Sequence, residues 1–145
     1  MQVSAILDKK GHDVRSVGPD TSTSVALHLM ATTGVGCLVV LRDDGRIDGV
    51  LSERDVVRGL SHHGDQFLRL RAHDVATRAP ATCRLDDDIT SVMVRMTQSR
   101  QRHLPVLDAD GHLAGLVSIG DIVKNRLDDL ELRANVLRDA YLAHR

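Results

Sequence analysis

Two short stretches of this chain place a hydroxyl and a carboxylate three residues apart, each where an apolar run ends: GVLSERD, residues 49–55, and GLVSIGD, residues 115–121. An ionised carboxylate has two acceptor oxygens, enough to take both hydroxyls of a ribose. Bonds to a charged acceptor are stronger than neutral ones. If a helix starts at the serine, its free N–H groups and partial positive charge favour a phosphate nearby. Ser52, Asp55, Ser118 and Asp121 are therefore candidates for a ribose-and-phosphate site. The same spacing also fits a capping box, in which serine and acid close each other's free backbone N–H groups. Spacing alone leaves both roles open, and one pair can serve both.

The elements that must position these residues occur twice. Ser52 and Ser118 lie 66 positions apart, as do Asp55 and Asp121, Gly49 and Gly115, Gly45 and Gly111, and Met30 and Met96. This ungapped register is an internal repeat. In each copy a short β segment (14–17; 82–84) precedes a helix entered through small polar or acidic residues, Asp20–Ser24 or Asp86–Thr90. Such residues accept bonds from a first helical turn. An apolar strand follows (37–41; 104–107), then an Asp-Gly turn, a return strand (47–51; 113–117) and a second helix from Ser52 or Ser118. Asp-Gly between apolar runs is a hairpin signal, because glycine accepts positive φ. Each copy reads β-α-β-β-α, and the segment 61–80 between them starts with the loop-like SHHGD and ends at Ala79-Pro80.

Composition narrows the function classes. The net charge is −1 and the chain holds one Tyr, one Phe and no Trp. No basic field or stacking platform favours nucleic acid. No signal peptide opens the chain and no apolar run approaches ~18 residues, so a soluble cytoplasmic protein is expected. Cys37 and Cys83 fit no metal spacing and read as inert core thiols. Asp86-Asp87-Asp88 reads as a charged first helical turn, and His62, His63 and His73 as solvated loop residues, so no metal is expected. Met30 and Met96 close apolar helical stripes as core fillers. GLVSIG is G-x-x-S-x-G rather than a nucleophile elbow, and no base accompanies it, so no enzyme is expected.

With both copies in view, the pattern resembles a tandem pair of cystathionine β-synthase (CBS) domains. LDKKG (7–11), SERDVVR (52–58), RHLPV (102–106) and SIGDIVKNR (118–126) are similar to segments of small stand-alone bacterial CBS-domain proteins. The resemblance implies an α/β (α+β) fold: two β-α-β-β-α repeats packed sheet to sheet with pseudo-two-fold symmetry, plus a C-terminal helix. The expected division is 1–66, 67–126 and a dimerisation helix, 127–145. It implies a regulatory module that binds AMP, ADP, ATP, NAD or S-adenosylmethionine in clefts between the repeats and signals through a homodimer to a partner protein.

The clefts of such pairs draw on both repeats, so Asp121 is expected with Ser16 and Asp55 with Thr82. Arg102 and His103 stand where related proteins place phosphate-contacting groups; the first copy has Gly36 and Cys37 there, with Arg54 as partial compensation. The Asp121 cleft is therefore the expected phosphate site, with Lys9 and Lys10 as weaker candidates. An adenine slot is expected from Val39-Val40, Pro105-Val106, Ser16-Val17 and Thr82-Cys83. The alternative is a ligand-free structural or dimerising module in which serine and aspartate only cap helices. Along the C-terminal helix Val123, Leu127, Leu130, Ala134, Leu137 and Tyr141 step by fours and threes, an apolar seam suited to a second copy.

Overall fold

A computed structural model of the protein describes residues 1–145. The order is α1 (Val3–Lys10), β1 (Ser16–Val17), α2 (Thr23–Thr33), β2 (Cys37–Leu41), β3 (Ile47–Ser52) and α3 (Glu53–His63). A 3₁₀ turn (Gly64–Arg69), α4 (Ala72–Val75) and β4 (Thr77–Arg78) lead to β5 (Cys83–Arg84), α5 (Ile89–Ser99), β6 (His103–Leu107), β7 (Leu113–Ser118) and α6 (Ile119–Ala143). Both expected β-α-β-β-α units are present. One sheet runs β1-β2-β3-β4 and the other β5-β6-β7.

Local chemistry sets these boundaries. Ser22 caps α2 by accepting from the Val25 N–H, and Asp88 caps α5 by accepting from that of Thr90. The Asp86–Asp88 run is thus the expected acidic helix start. In the hairpins, Gly45 (φ 81°) and Gly111 (φ 82°) take the left-handed turn position. The two turns meet, with the Leu113 N–H donating to the Gly45 carbonyl at 3.2 Å. Register places Cys37 opposite Ser52 and His103 opposite Ser118, so the first residue of each inner strand sits beside its hydroxyl.

The segment between the copies, including the loop-like SHHGD, is structured. Residues 61–63 continue α3, the 3₁₀ turn follows, and β4 pairs antiparallel with β3. The single phenylalanine anchors it: Phe67 is fully buried, packed on Gly59 where a Cβ would collide with its ring. His73 therefore lies on α4 rather than in a loop, half-buried, with Nδ1 2.6 Å from Asp48 Oδ2. The β1 strand begins at Ser16, shorter than expected.

The two cores interleave along the chain. Val3, Ile6 and Leu7 of α1 share a core with Ile89, Val92, Leu104, Val106 and Ile122 of the second unit. Ala72 of α4 joins Ala26, Leu38 and Leu51 of the first. Equivalent backbone bonds tie them down: Val3 N–H to the Asp87 carbonyl at 3.0 Å, and Ala72 N–H to the Thr21 carbonyl at 2.7 Å. Each unit is too small to cover its own sheet and borrows the short helix that precedes the other. Met30 and Met96 lie in these cores, as expected.

The borrowed elements pass over the motif glycines. A Cβ on Gly49 would lie 2.5 Å from the Thr77 carbonyl oxygen, and one on Gly115 2.7 Å from Leu7 Cδ1. A backbone cannot yield as a leucine tip can. Gly49→Ala is therefore expected to destabilise by about 1–3 kcal/mol and Gly115→Ala by less. Equilibrium denaturation of the two variants checks the order.

Candidate functional site

Both Ser-x-x-Asp motifs form reciprocal caps. Ser52 Oγ accepts from the Asp55 N–H at 3.3 Å, while Asp55 Oδ2 accepts from the Ser52 N–H at 2.8 Å. The corresponding distances for Ser118 and Asp121 are 3.1 and 2.8 Å. A further pair of bonds obeys the pseudo-symmetry. The Glu53 N–H donates to the Gly36 carbonyl at 3.1 Å, and the Ile119 N–H to that of Arg102 at 2.9 Å. The two strand-to-helix turns are thus held against the starts of β2 and β6.

The two carboxylates then differ. Asp55 is 2% exposed and fully engaged: Oδ2 also accepts from Ser52 Oγ, and Oδ1 accepts from Thr77 Oγ1 (2.7 Å) and Arg58 Nη2 (3.1 Å). Asp121 keeps 23% of its side chain exposed. Its Oδ2 takes Lys10 Nζ at 2.7 Å together with the Ser118 N–H, and its Oδ1 accepts no bond from the protein.

Two clefts flank these caps. One, of about 520 Å³, lies beside Asp55 and is lined by Ser52, Arg54, Arg58, Thr77, Arg100 and Arg102 among others. The other, of about 300 Å³, is lined by Lys10, 13–15, 34–35 and Leu116. They share Gly36, Cys37, His103 and Ser118, so they form one trough across the pseudo-two-fold axis. The arrangement offers one open carboxylate, several guanidiniums and two helix starts, which suits a hydroxylated, anionic ligand.

A family model for the CBS domain matches residues 3–62 and again 72–128. The chain belongs to the CBS domain family. A CBS-domain containing protein from Agrobacterium tumefaciens has the same fold, with a TM-score of 0.82 and 36% identity over 87% of this chain and 99% of that one. A CBS domain protein from Pyrobaculum aerophilum complexed with AMP has a TM-score of 0.78 and 26% identity, covering 92% of this chain and 99% of that chain. The chain is also 32% identical over 113 residues, 77% of its own length, to the inosine-5'-monophosphate dehydrogenase of Thermoplasma acidophilum, and spans 21% of that enzyme. No helix of this CBS pair is long and apolar enough to cross a membrane.

Of the residues expected at the site, Ser52, Arg54, Asp55, Arg102, His103 and Ser118 line the trough. Asp121 itself lines neither cleft; its partners Lys10 and Ser118 do. The other expected residues are placed differently. Thr82 lines neither cleft; its carbonyl accepts from Arg95, and Asp55 finds its hydroxyl in Thr77 instead. The cause is the turn at Ala79-Pro80, where φ 45° at Ala79 carries the chain from β4 to the other sheet. Ser16 pairs with Val39 in the sheet and also lines neither cleft. Arg102 lines the Asp55 cleft together with Arg54, Arg58 and Arg100, while Arg15 lines the other. Val39, Val40 and Val106 are fully buried in the sheets. Lys9 is exposed and apart from both clefts. Sequence reading missed Thr77, Arg58 and Arg100. Arg100 had a visible signal, an arginine at the repeat position of Gly34, whereas Thr77 lay in the segment between the copies.

Electrostatics follow from burial. Burial pushes the Cys37 thiol up to about 12, helped by Asp55, and the Cys83 thiol up to about 12, helped by Asp87. Both are free, buried and protonated, as expected of core thiols. Burial also raises the Asp121 carboxyl, but the bonds from Lys10 and the Ser118 N–H outweigh it and hold the group below its ordinary value. His103 is held below its ordinary 6.5 by burial first, then by Arg102 and Lys10, against the opposing pull of Asp121 and Glu53.

His103 is thus neutral in the folded CBS pair at pH 7. As pH falls through about 6.5 the unfolded chain takes up this proton before the folded one, so the His103 contribution to stability declines. It levels off once the folded state is protonated too. Denaturant midpoints measured from pH 7.5 to 5 should fall for the wild type and fall less for His103→Gln.

Proposed function

We propose that this CBS pair is a regulatory module that binds an adenosine-containing nucleotide (AMP, ADP, ATP or NAD) in its trough and signals through a homodimer to a partner protein. The supporting observation is the Asp121 carboxylate: anchored by its cap and by Lys10, it keeps one oxygen without a partner beside a cationic trough. That oxygen suits a ribose hydroxyl, while the α6 start and the guanidiniums suit phosphate. The AMP complex of the Pyrobaculum relative adds weight. No residue in the trough is placed as a nucleophile with its base, so we assign a binding and not a catalytic role. Ser16 and Thr82 have no role in this reading.

A ligand-free scaffold is the competing reading, favoured by the closed state of Asp55. Thermal unfolding with AMP, ADP, ATP, NAD and S-adenosylmethionine separates the two. A ligand at 100 times its Kd adds about 2.7 kcal/mol, and Asp121→Ala is expected to abolish that shift. Loss of the cap alone costs about 1 kcal/mol and lowers the midpoint of the unliganded protein. If no compound shifts the wild type, the scaffold reading replaces this one.

The homodimer rests on α6. From Arg126 onward all its residues but Asp129 are exposed, and Leu137 is 71% exposed. The exposed Leu127, Leu130, Leu137 and Tyr141 form an apolar seam that a second copy would close. Light scattering should report a dimer for the wild type and a monomer for Leu130→Glu/Leu137→Glu.

A further inference from the structure

We infer that the trough takes a single nucleotide per chain and that this nucleotide carries two or more phosphates. The inference rests on the nucleotide-binding reading above and names the ligand class that the site selects.

The two clefts descend from one repeat and differ in their cations. Arg54, Arg100 and Arg102 line the first cleft. Their counterparts 66 positions away are Gly120, Gly34 and Gly36. The first cleft thus holds three arginines whose counterparts are glycines, whereas the second holds Arg15 and a Lys10 committed to Asp121 and the Leu116 carbonyl. Arg58 is committed to Asp55, and Arg54 spends one N–H on the Arg100 carbonyl at 3.2 Å. The Arg100 and Arg102 guanidiniums make no bond to the protein. Glu53 is the uncommitted acid of this cleft; it lies against Gly36, where a Cβ would come within 2.8 Å of its Oε1. Guanidiniums pair bidentately with phosphate oxygens, so this cluster exceeds what one phosphate group engages.

The backbone at Arg100 points the same way. It ends α5 with φ 56°, where the other copy ends α2 with Gly34 at φ 70°. Left-handed backbone disfavours a long side chain. Arg100 and Ala79 are the two non-glycine residues with positive φ, and both line the first cleft. Such strain collects where a side chain serves a ligand.

The carboxylates set the stoichiometry. Asp55 has no oxygen left for a ribose, whereas Asp121 does. The nucleoside end therefore sits at Asp121 and the second cleft. Its phosphate chain passes the shared His103 and Ser118 to reach Arg100 and Arg102.

Calorimetric titration with AMP, ADP, ATP and inorganic tripolyphosphate tests this on wild type, Arg100→Gly and Arg102→Gln, with the α6 surface variant Arg133→Gln as control. The expected result is one equivalent of ATP per chain, bound at least about tenfold tighter than AMP. Arg100→Gly should narrow that ratio while raising the unfolding midpoint of the unliganded protein, since glycine relieves the backbone. Arg102→Gln should narrow it too, and Arg133→Gln should retain it. AMP binding as tightly as ATP, two equivalents per chain, or a ratio untouched by Arg100→Gly would overturn the inference and leave the nucleotide reading standing. Tripolyphosphate binding without any nucleotide preference would also overturn it. Absence of heat with every adenosine compound would sink both.

Discussion

The reciprocal cap between a serine and an aspartate three residues later holds this molecule's working parts in place. It fixes the turn from β3 into α3 and from β7 into α6, and it aims both helix starts at one trough. The carbonyls of Gly36 and Arg102 complete each turn from the neighbouring strand. A cap of this kind satisfies otherwise orphaned N–H groups and spends carboxylate oxygens doing so. What remains of each carboxylate then decides whether a cleft can bind anything.

That remainder differs because the repeat is symmetric in its backbone and asymmetric in its side chains. β4 brings Thr77 over Asp55 and α3 brings Arg58 to it, closing the first carboxylate. α1 brings only Lys10 to Asp121, leaving one oxygen open. Part of the difference arises in the borrowed segments. α1 runs eight residues and carries a lysine at its end, whereas α4 runs four and gives way to a strand. The same exchange buries the small cores of both units, so the segments that complete the fold also differentiate the clefts.

Much of this was legible in the residues. The 66-residue register predicted the doubled β-α-β-β-α unit, its Asp-Gly hairpins and its serine caps, because each depends on local chemistry that repeats. Cys37, Cys83, Met30 and Met96 were legible as core residues from their apolar surroundings. The segment 61–80 was not, since its structure depends on Phe67 inserting against Gly59 and on β4 pairing with β3, contacts that leave no periodic trace. His73 was misplaced for the same reason.

By itself, then, the sequence determined the repeat, the capped helix starts and the set of polar residues available to them, because capping and turn formation act within a few positions along the chain. Only the tertiary structure decided which residues share a cleft. It set Thr77 rather than Thr82 on Asp55, turned Arg102 toward Asp55's side of the trough, and left Asp121 open. Those pairings follow from α1 and α4 packing into each other's units and from the turn at Ala79-Pro80, and such long-range exchange is settled by which core has apolar surface left to cover.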